Sequence, residues 1–401
     1  KGQFGTRLQG GKDSASERYI FTALNPLTRY LFPIHDDSVL TYLDDDGQLV
    51  EPVFYAPIIP MILVNGAKGI GTGFSTDIPS FNPLQLIQYL KHKLNPTKIA
   101  KPPVLIPYIE GFAGSIEHIQ KQKWLVKGTY TVERKDTIVI TELPVGVWTD
   151  DYKRFLESTM ESTGVKGKKK TAYVRDYTEL CTDKTIHITV VFHRGKLAEL
   201  MAISLEHGCN GLEKYLKLFS TISSTNMHVF NDKEQLTCYN TGEEMIDDYY
   251  HIRLALYSTR KEYQIMLLEK EVLVLTNKAK YIQEVLSDTI DLRRKTHEII
   301  HTMLIEKGYQ TLDTSYHYLI KMPMDSVSDE NIIKIMSECE QKQKELHVLQ
   351  HTSVEKMWLS ELNTLDIQYK KYKTQREQQM IDVSKTKKTK VKSNTKPKPK
   401  G

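Results

Sequence analysis

KGQFGTRLQGGKDSASERY, residues 1–19, is the stretch on which the reading of this chain turns. It carries the cations Lys1, Arg7, Lys12 and Arg18 and the glycines Gly2, Gly5, Gly10 and Gly11, and it ends on Tyr19. Cations on a backbone that can approach closely suit a polyanion such as a phosphodiester chain. A tyrosine held among them has the chemistry to attack phosphorus, provided its phenol, with an ordinary pKa of about 10, is assisted. A plainer reading stands beside this one. The chain has 22 tyrosines, and most tyrosines pack or face solvent. Asp13, Ser14 or Ser16 would also suit the cap of a helix running through ERYIFTALNPL. The sequence starts without methionine, so it is expected to be a piece of a longer protein.

The chain has 401 residues, enough to bury large cores in two or three domains. Hydrophobic residues make up 40% and charged residues 26%, the balance of a soluble globular protein. No run of about 18 apolar residues occurs, so no membrane span is expected. Cys181, Cys209, Cys238 and Cys339 lack C-x-x-C spacing and read as reduced thiols. The net charge is +5, but residues 383–401 hold eight lysines and no acid, and subtracting them leaves −3. Any affinity of the body for a polyanion must therefore come from local patches.

Periodicity divides the chain into four segments, and the expected fold class is multidomain α+β. In residues 1–105, PIIPMILV (57–64) reads as a buried strand or tight core segment and LQLIQYLKHKL (84–94) as a helix. In residues 106–235, WLVKGTYTVERKDTIVITELP predicts a hairpin turning at Arg134, Lys135 and Asp136. There DYKRFLESTM reads as a helix, KTIHITVVF as a strand, and LAELMAISLEHG as a helix with a glycine stop. Residues 236–380 hold two long charged helical stretches around a compact helical interlude. An antiparallel coiled-coil arm with a knob and an ordinary helical bundle both fit them. Residues 381–401 are low in complexity and are predicted to be disordered.

GAKGIGTGF (66–74) invites a nucleotide-loop reading and fails it. The dinucleotide pattern would need glycine where Phe74 stands, and the phosphate-loop pattern would need lysine where Thr72 stands. Asp44, Asp45 and Asp46 read as surface acids.

The blocks KGQFGTRLQGGKDSASERYIFTALNPLTRYLFP, VEPVFYAPIIPMILVNGAKGIGTGFSTDIPSFNP, ITELPVGVWTDDYK, LKLFSTISSTNMHVF, YLIKMPMDSVSDENI and EKMWLSEL occur in that order. Together they make the chain resemble the type IIA DNA topoisomerases, in the eukaryotic form, to about residue 370. The resemblance implies the C-terminal part of a winged-helix cleavage domain for residues 1–105 and a mixed α/β tower for 106–235. For 236–380 it implies a coiled-coil arm and a helical exit-gate dimer domain. The implied activity is ATP-dependent breakage and reunion of double-stranded DNA by a homodimer, through 5′-phosphotyrosine links. Tyr19 would be the nucleophile, Arg18 would stabilise the transition-state charge, and Ile70 would wedge between base pairs and bend the duplex. Gln3, Arg7, Lys12, Trp148, Lys217, Ser220, Thr221, Ser223, Ser224, Thr225 and Asn226 would contact DNA. Core packing is an equal fate for Trp148, and Lys166, Lys168, Lys169 and Lys170 form a loop that is either DNA-facing or solvated. Mg2+ and ATP are implied for the whole enzyme, with their ligands outside this chain. The compact form, without a long acidic tail, suggests a large DNA virus as source, and the location would be the nucleus or, if viral, the host cytoplasm. The alternatives are a non-catalytic DNA-binding and dimerisation module and a coiled-coil scaffold with an incidental basic tail.

Overall fold

The computed structural model describes residues 3–96, 101–160, 172–292, 295–312, 315–323 and 328–392. Lys166, Lys168, Lys169 and Lys170 lie outside the described residues. Following a 3-10 turn at Glu17–Tyr19, α1 (Thr28–Leu31) precedes the hairpin β1 (Tyr42–Asp45) and β2 (Gln48–Pro52). Next come α2 (Met61–Asn65), the hairpin β3 (Ala67–Gly71) and β4 (Phe74–Ile78), and α3 (Pro83–Leu94). The strands β5 (Ser115–Gln120), β6 (Lys123–Lys127), β7 (Thr129–Arg134) and β8 (Thr137–Glu142) lead into α4 (Thr149–Met160). After them come β9 (Val174–Glu179), β10 (Ile188–Phe192), α5 (Lys196–Ala202), α6 (Gly211–Tyr215), β11 (Phe219–Ser223), β12 (Met227–Phe230) and β13 (Leu236–Tyr239). The rest is helical: α7 (Gly242–Leu286), α8 (His297–Glu306), α9 (His317–Ile320), α10 (Asp329–His351) and α11 (Val354–Lys392). The result is a mixed α/β chain, and no helix among the described residues is long and apolar enough to cross a membrane.

The chain forms two compact units that do not follow chain order. One comprises residues 1–31, 59–250 and 365–401. Its main sheet has the antiparallel order β7-β8-β10-β9, and a second sheet has the order β11-β6-β5. The predicted hairpin is present, with Arg134 paired to Thr137 across the turn. Ile138, Ile140, Ile188 and Val190 leave one face of the main sheet and bury against Tyr152 and Leu156 of α4 and Leu197 and Leu200 of α5. Each such side chain contributes roughly 1.5–3 kcal/mol, so this layer holds helix to sheet. On α3, the 3.6-residue period puts Leu86, Ile87 and Leu90 in the core. Asn82 caps that helix by accepting from the Leu84 N–H at 3.0 Å, with Pro83 in the first turn.

The other unit comprises residues 32–58 and 251–364. Partners across it run in opposite senses. Lys261 Nζ donates to the Gln350 carbonyl at 3.0 Å, Lys342 Nζ pairs with Glu271 at 3.0 Å, and Thr276 meets Cys339. The α7 residues of this unit and α10 are therefore antiparallel. At one end Arg253, Arg260 and Asp36 are buried together, with Glu361 on Arg260. Tyr257 stacks on Trp358 with ring centroids 5.6 Å apart. Tyr281, Ile300, Leu304, Tyr309, Tyr316 and Leu319 form a separate core around α8 and α9.

Several sequence readings need correction. PIIPMILV is core, with Ile58, Ile59 and Leu63 buried, but its second half is the short helix α2 and not a strand. The helix expected through ERYIFTALNPL is a single 3-10 turn: Ile20 is extended, and Asn25 precedes Pro26, which disfavours helical backbone. The helix of LAELMAISLEHG ends at Ala202, because Ser204 bridges back to Asn210. The backbone of α11 runs to Lys392. Lysine is a good helix former, and no glycine or proline interrupts residues 354–392.

Candidate nucleic-acid interface

The opening stretch folds on itself before it reaches Tyr19. Asp13 closes it: its carboxylate accepts from the Thr6 N–H at 2.8 Å, the Thr6 hydroxyl at 2.6 Å and the Gln3 amide at 3.4 Å. The Thr6 hydroxyl and N–H hold the Asp13 carboxyl below its usual range. Gly5 has φ +89° and sits against Gly11, where a Cβ would come within 2.6 Å of the Gly11 Cα.

Three contacts fasten this loop to the joint between β8 and α4. The Arg7 guanidinium forks onto the Glu142 carboxylate, with Nη1 to Oε2 at 3.2 Å. The Leu8 carbonyl accepts from the Asp150 N–H at 3.0 Å. Gly10, at φ +65°, lies on the Trp148 indole, and a Cβ there would meet ring atoms at 2.3–2.6 Å. Glu142 is only 2% exposed and also accepts from the Ala113 and Leu143 N–H groups at 3.0 and 2.8 Å. Glu142 did not stand out in the sequence, and Asp13 was read there as a candidate helix cap and not as the closure of this loop. Arg7 and Trp148, both read there as DNA contacts, have protein partners within this joint.

The loop ends on the turn that carries Arg18 and Tyr19. The Tyr19 N–H donates to the Ser16 carbonyl at 2.9 Å. In a regular helix or strand adjacent side chains diverge, but this turn brings the Arg18 guanidinium to 5.0 Å from the centroid of the Tyr19 ring. Both residues are exposed, Tyr19 at 63%. Gln3 and Lys12 are exposed on the same loop.

Ile70 sits on β3 one residue before the hairpin turn, paired with Ser75, and is 94% exposed. Burying an isoleucine gains roughly 1.5–3 kcal/mol, and at this hairpin tip Ile70 forgoes nearly all of it. Asn226 secures the hairpin: its side chain donates to Ser75 Oγ at 2.9 Å, and its carbonyl accepts from the Asp77 N–H at 2.7 Å. The rest of the hydroxyl-rich run splits by strand alternation. Thr221, Ser223 and Thr225 are exposed, Ser220 is half-buried, and Ser224 is buried with its N–H on the Gln122 carbonyl. Lys217 lies over the Phe155 ring at 4.4 Å. All these residues belong to one unit.

Residues 1–363 match the A-subunit family of DNA gyrase/topoisomerase IV. The chain belongs to that family. It is 36% identical over 413 residues to DNA topoisomerase 2 top-2 of Caenorhabditis elegans, covering 90% of this chain and 26% of that protein. It is 35% identical to DNA topoisomerase 2-alpha of Gallus gallus, covering 90% of this chain and 24% of the relative. In structure it resembles the Plasmodium falciparum topoisomerase II DNA-binding, cleavage and re-ligation domain. That match has a TM-score of 0.79 and 32% identity and covers 94% of this chain and 53% of that one. The chain thus spans about a quarter of the length of these curated topoisomerase relatives. They are cellular proteins, and the expectation of a viral source gains no support from them.

Proposed function

We propose that this chain is the breakage-and-reunion part of a type II DNA topoisomerase acting as a homodimer on double-stranded DNA. The observation that carries the reading is the exposed Arg18–Tyr19 pair, presented at the end of a loop tied to a buried carboxylate. Tyr19 Oη attacks a backbone phosphorus. The new Oη–P bond replaces the P–O3′ bond, the phenol gives up its proton, and the 3′ oxygen leaves as a hydroxyl. Religation is the reverse, and the phosphotyrosine conserves the bond energy. The Arg18 guanidinium is placed to offset charge building on the phosphoryl oxygens. Ile70 enters a base step and bends the duplex. Lys12, Gln3, Thr221, Ser223 and Thr225 face the DNA backbone, whereas Arg7, Trp148 and Asn226 hold the parts that do.

In finer detail, residues 1–105 correspond to part of a winged-helix cleavage domain and 106–235 to a tower. The antiparallel helices of 236–380 form an arm with an exit-gate dimer contact. The nucleus is the proposed location. No group of three or more His, Cys, Asp or Glu among the described residues is placed to hold a metal ion. The residues present do not fit a resident Mg2+, so no step is drawn through one. The Mg2+ and ATP of the whole enzyme are assigned to segments outside this chain.

Replacing Tyr19 with phenylalanine in the full-length protein is expected to abolish denaturant-stable protein–DNA adducts and supercoil relaxation while leaving DNA binding. Persistence of both activities in Tyr19→Phe would overturn the reading and favour a non-catalytic DNA-binding module.

A further inference from the structure

The turn end of the main sheet carries a concentration of positive charge that the cleavage reading does not use. A concavity of about 480 Å³ is lined there by Arg134, Lys135, Arg175 and Arg194, with Asp136 as its one acidic lining residue among those described. All four cations are exposed, and none of them forms an ion pair among the described residues. Outside the tail the chain is slightly acidic, so this local excess is not a reflection of bulk composition.

The cluster is assembled by the fold from three separate segments. Asp136 joins two of them: its carboxylate accepts from the Gly195 N–H at 3.0 Å, and its carbonyl accepts from the Phe192 N–H at 2.8 Å. These bonds set Arg194 beside the β7–β8 turn that carries Arg134 and Lys135. The third segment is β9. Val191 pairs with Asp176 and Phe192 with Val174, so Arg175 is the extra residue of a bulge, a feature that re-aims a side chain. Asp136 is engaged with Gly195 and neutralises only part of the cluster. Three guanidinium forks and an ammonium converging on a concave surface match phosphate oxygens.

Thr137 and Glu142 are the two ends of β8, about 17 Å apart. The basic concavity is therefore at the end of β8 opposite the Arg7–Glu142 joint that supports Tyr19. We propose that it is a phosphate-binding site that holds the backbone of a DNA duplex flanking the segment at Tyr19. The proposal rests on the DNA reading above and extends it by a contact that only a longer duplex reaches. At about 3.4 Å per base pair, the extra reach is on the order of five base pairs per side.

The test compares the full-length protein with a variant carrying Arg134→Ala, Lys135→Ala, Arg175→Ala and Arg194→Ala. Binding is measured against salt concentration on duplexes of about 16 and about 40 base pairs. Wild type is expected to show the steeper salt dependence on the long duplex. The variant should lose that difference, a fall of roughly 4 in the logarithmic slope per protomer for its four cations at about 0.9 per phosphate contact, and keep the wild-type slope on the short duplex. Equal losses on both duplexes, or no loss on either, would overturn the assignment. Wild-type DNA binding with lost binding of inorganic polyphosphate would overturn it too, by making a free polyphosphate the occupant. Adduct formation on the short duplex reads Tyr19 separately: its absence in wild type counts against the cleavage reading, and its presence with an unchanged long-duplex slope counts against this site alone.

Discussion

Replacing Arg7 with alanine is expected to free the loop that presents Tyr19 while the rest of the fold stays intact. The magnitude follows from Glu142. Its side chain is 3% exposed, and Arg7 is its only charged partner among the described residues. Removing one partner of a buried ion pair costs about 3–5 kcal/mol, because the other charge stays behind. The Arg7 side chain is 23% exposed, which screens the pair, and Glu142 keeps its bonds from the Ala113 and Leu143 N–H groups. The lower figure, about 3 kcal/mol, is therefore expected, and it raises the undocked fraction of the loop on the order of 100-fold. The Asp150 N–H reports docking directly, since its acceptor is the Leu8 carbonyl at 3.0 Å. Its hydrogen exchange should speed up by that factor in Arg7→Ala, and adduct yield through Tyr19 should fall with it. Glu142→Gln removes the charge that needs Arg7, so adding it to Arg7→Ala should restore exchange to within about 1 kcal/mol of Glu142→Gln alone. A direct phosphate contact by Arg7 makes a different forecast: the salt slope of DNA binding falls by about 1 in Arg7→Ala whether or not Glu142 is replaced. Unchanged Asp150 exchange, or singles that simply add in the double variant, would refute the clamp.

Gly10→Ala is expected to detach the same loop by another route, since the backbone sits at φ +65° and the new Cβ meets the Trp148 ring; the left-handed conformation alone costs about 1–2 kcal/mol. Asp150 exchange should rise, and Trp148→Ala should relieve only the steric share. Asp36→Ala leaves Arg253 buried with no carboxylate partner among the described residues and Arg260 with Glu361, and urea unfolding of the unit holding α8 and α10 should show a loss of about 3–5 kcal/mol. The Asp13 carboxyl is depressed by its bonds to Thr6, so the loop closure it provides is complete above the ordinary carboxylate value. That closure disappears as pH falls through the depressed folded value, below about pH 4. The Thr6 amide resonance should titrate there, and a wild-type-like titration in Asp13→Asn would break the assignment.

Residues whose pattern is local were legible in the sequence. The apolar spacing of 84–94 gave α3, and the basic turn after TYTVE gave the β7–β8 hairpin, because each depends on neighbours within a few positions. The pair proposed to react was singled out by residue type, as a tyrosine after an arginine in a glycine-rich basic stretch. Its support was not. A glutamate ending a β-branched strand reads as solvated, and the partner that makes Glu142 a buried anchor lies 135 residues earlier. Asn226 read as one more polar residue in a run, and only the β4–β12 contact shows it securing the Ile70 hairpin. The Arg18–Tyr19 convergence depends on a 3-10 turn, with Ile20 extended after it, where propensity pointed to a longer helix.

The distribution of burial over these residues has a mechanical consequence. Tyr19 and Ile70, the groups proposed to act on DNA, are 63% and 94% exposed, so packing does almost nothing to fix them. An exposed side chain on a free loop carries backbone disorder worth about 1–2 kcal/mol per residue, which a reaction needing aligned atoms must remove. Here the removal is done within the protein itself, by Glu142, Trp148 and Asp150 for one group and by Asn226 for the other. Those anchors belong to the same compact unit as the two groups they serve. On the proposed function, cutting and bending would therefore be referred to one scaffold, and a substitution at an anchor should disturb the geometry of its own loop and leave the other loop in place. In Arg7→Ala, DNA bending through Ile70 should survive while adduct formation falls; in Asn226→Ala the order should reverse. Loss of both functions in either variant would mean that the unit, and not the individual fastening, sets the geometry.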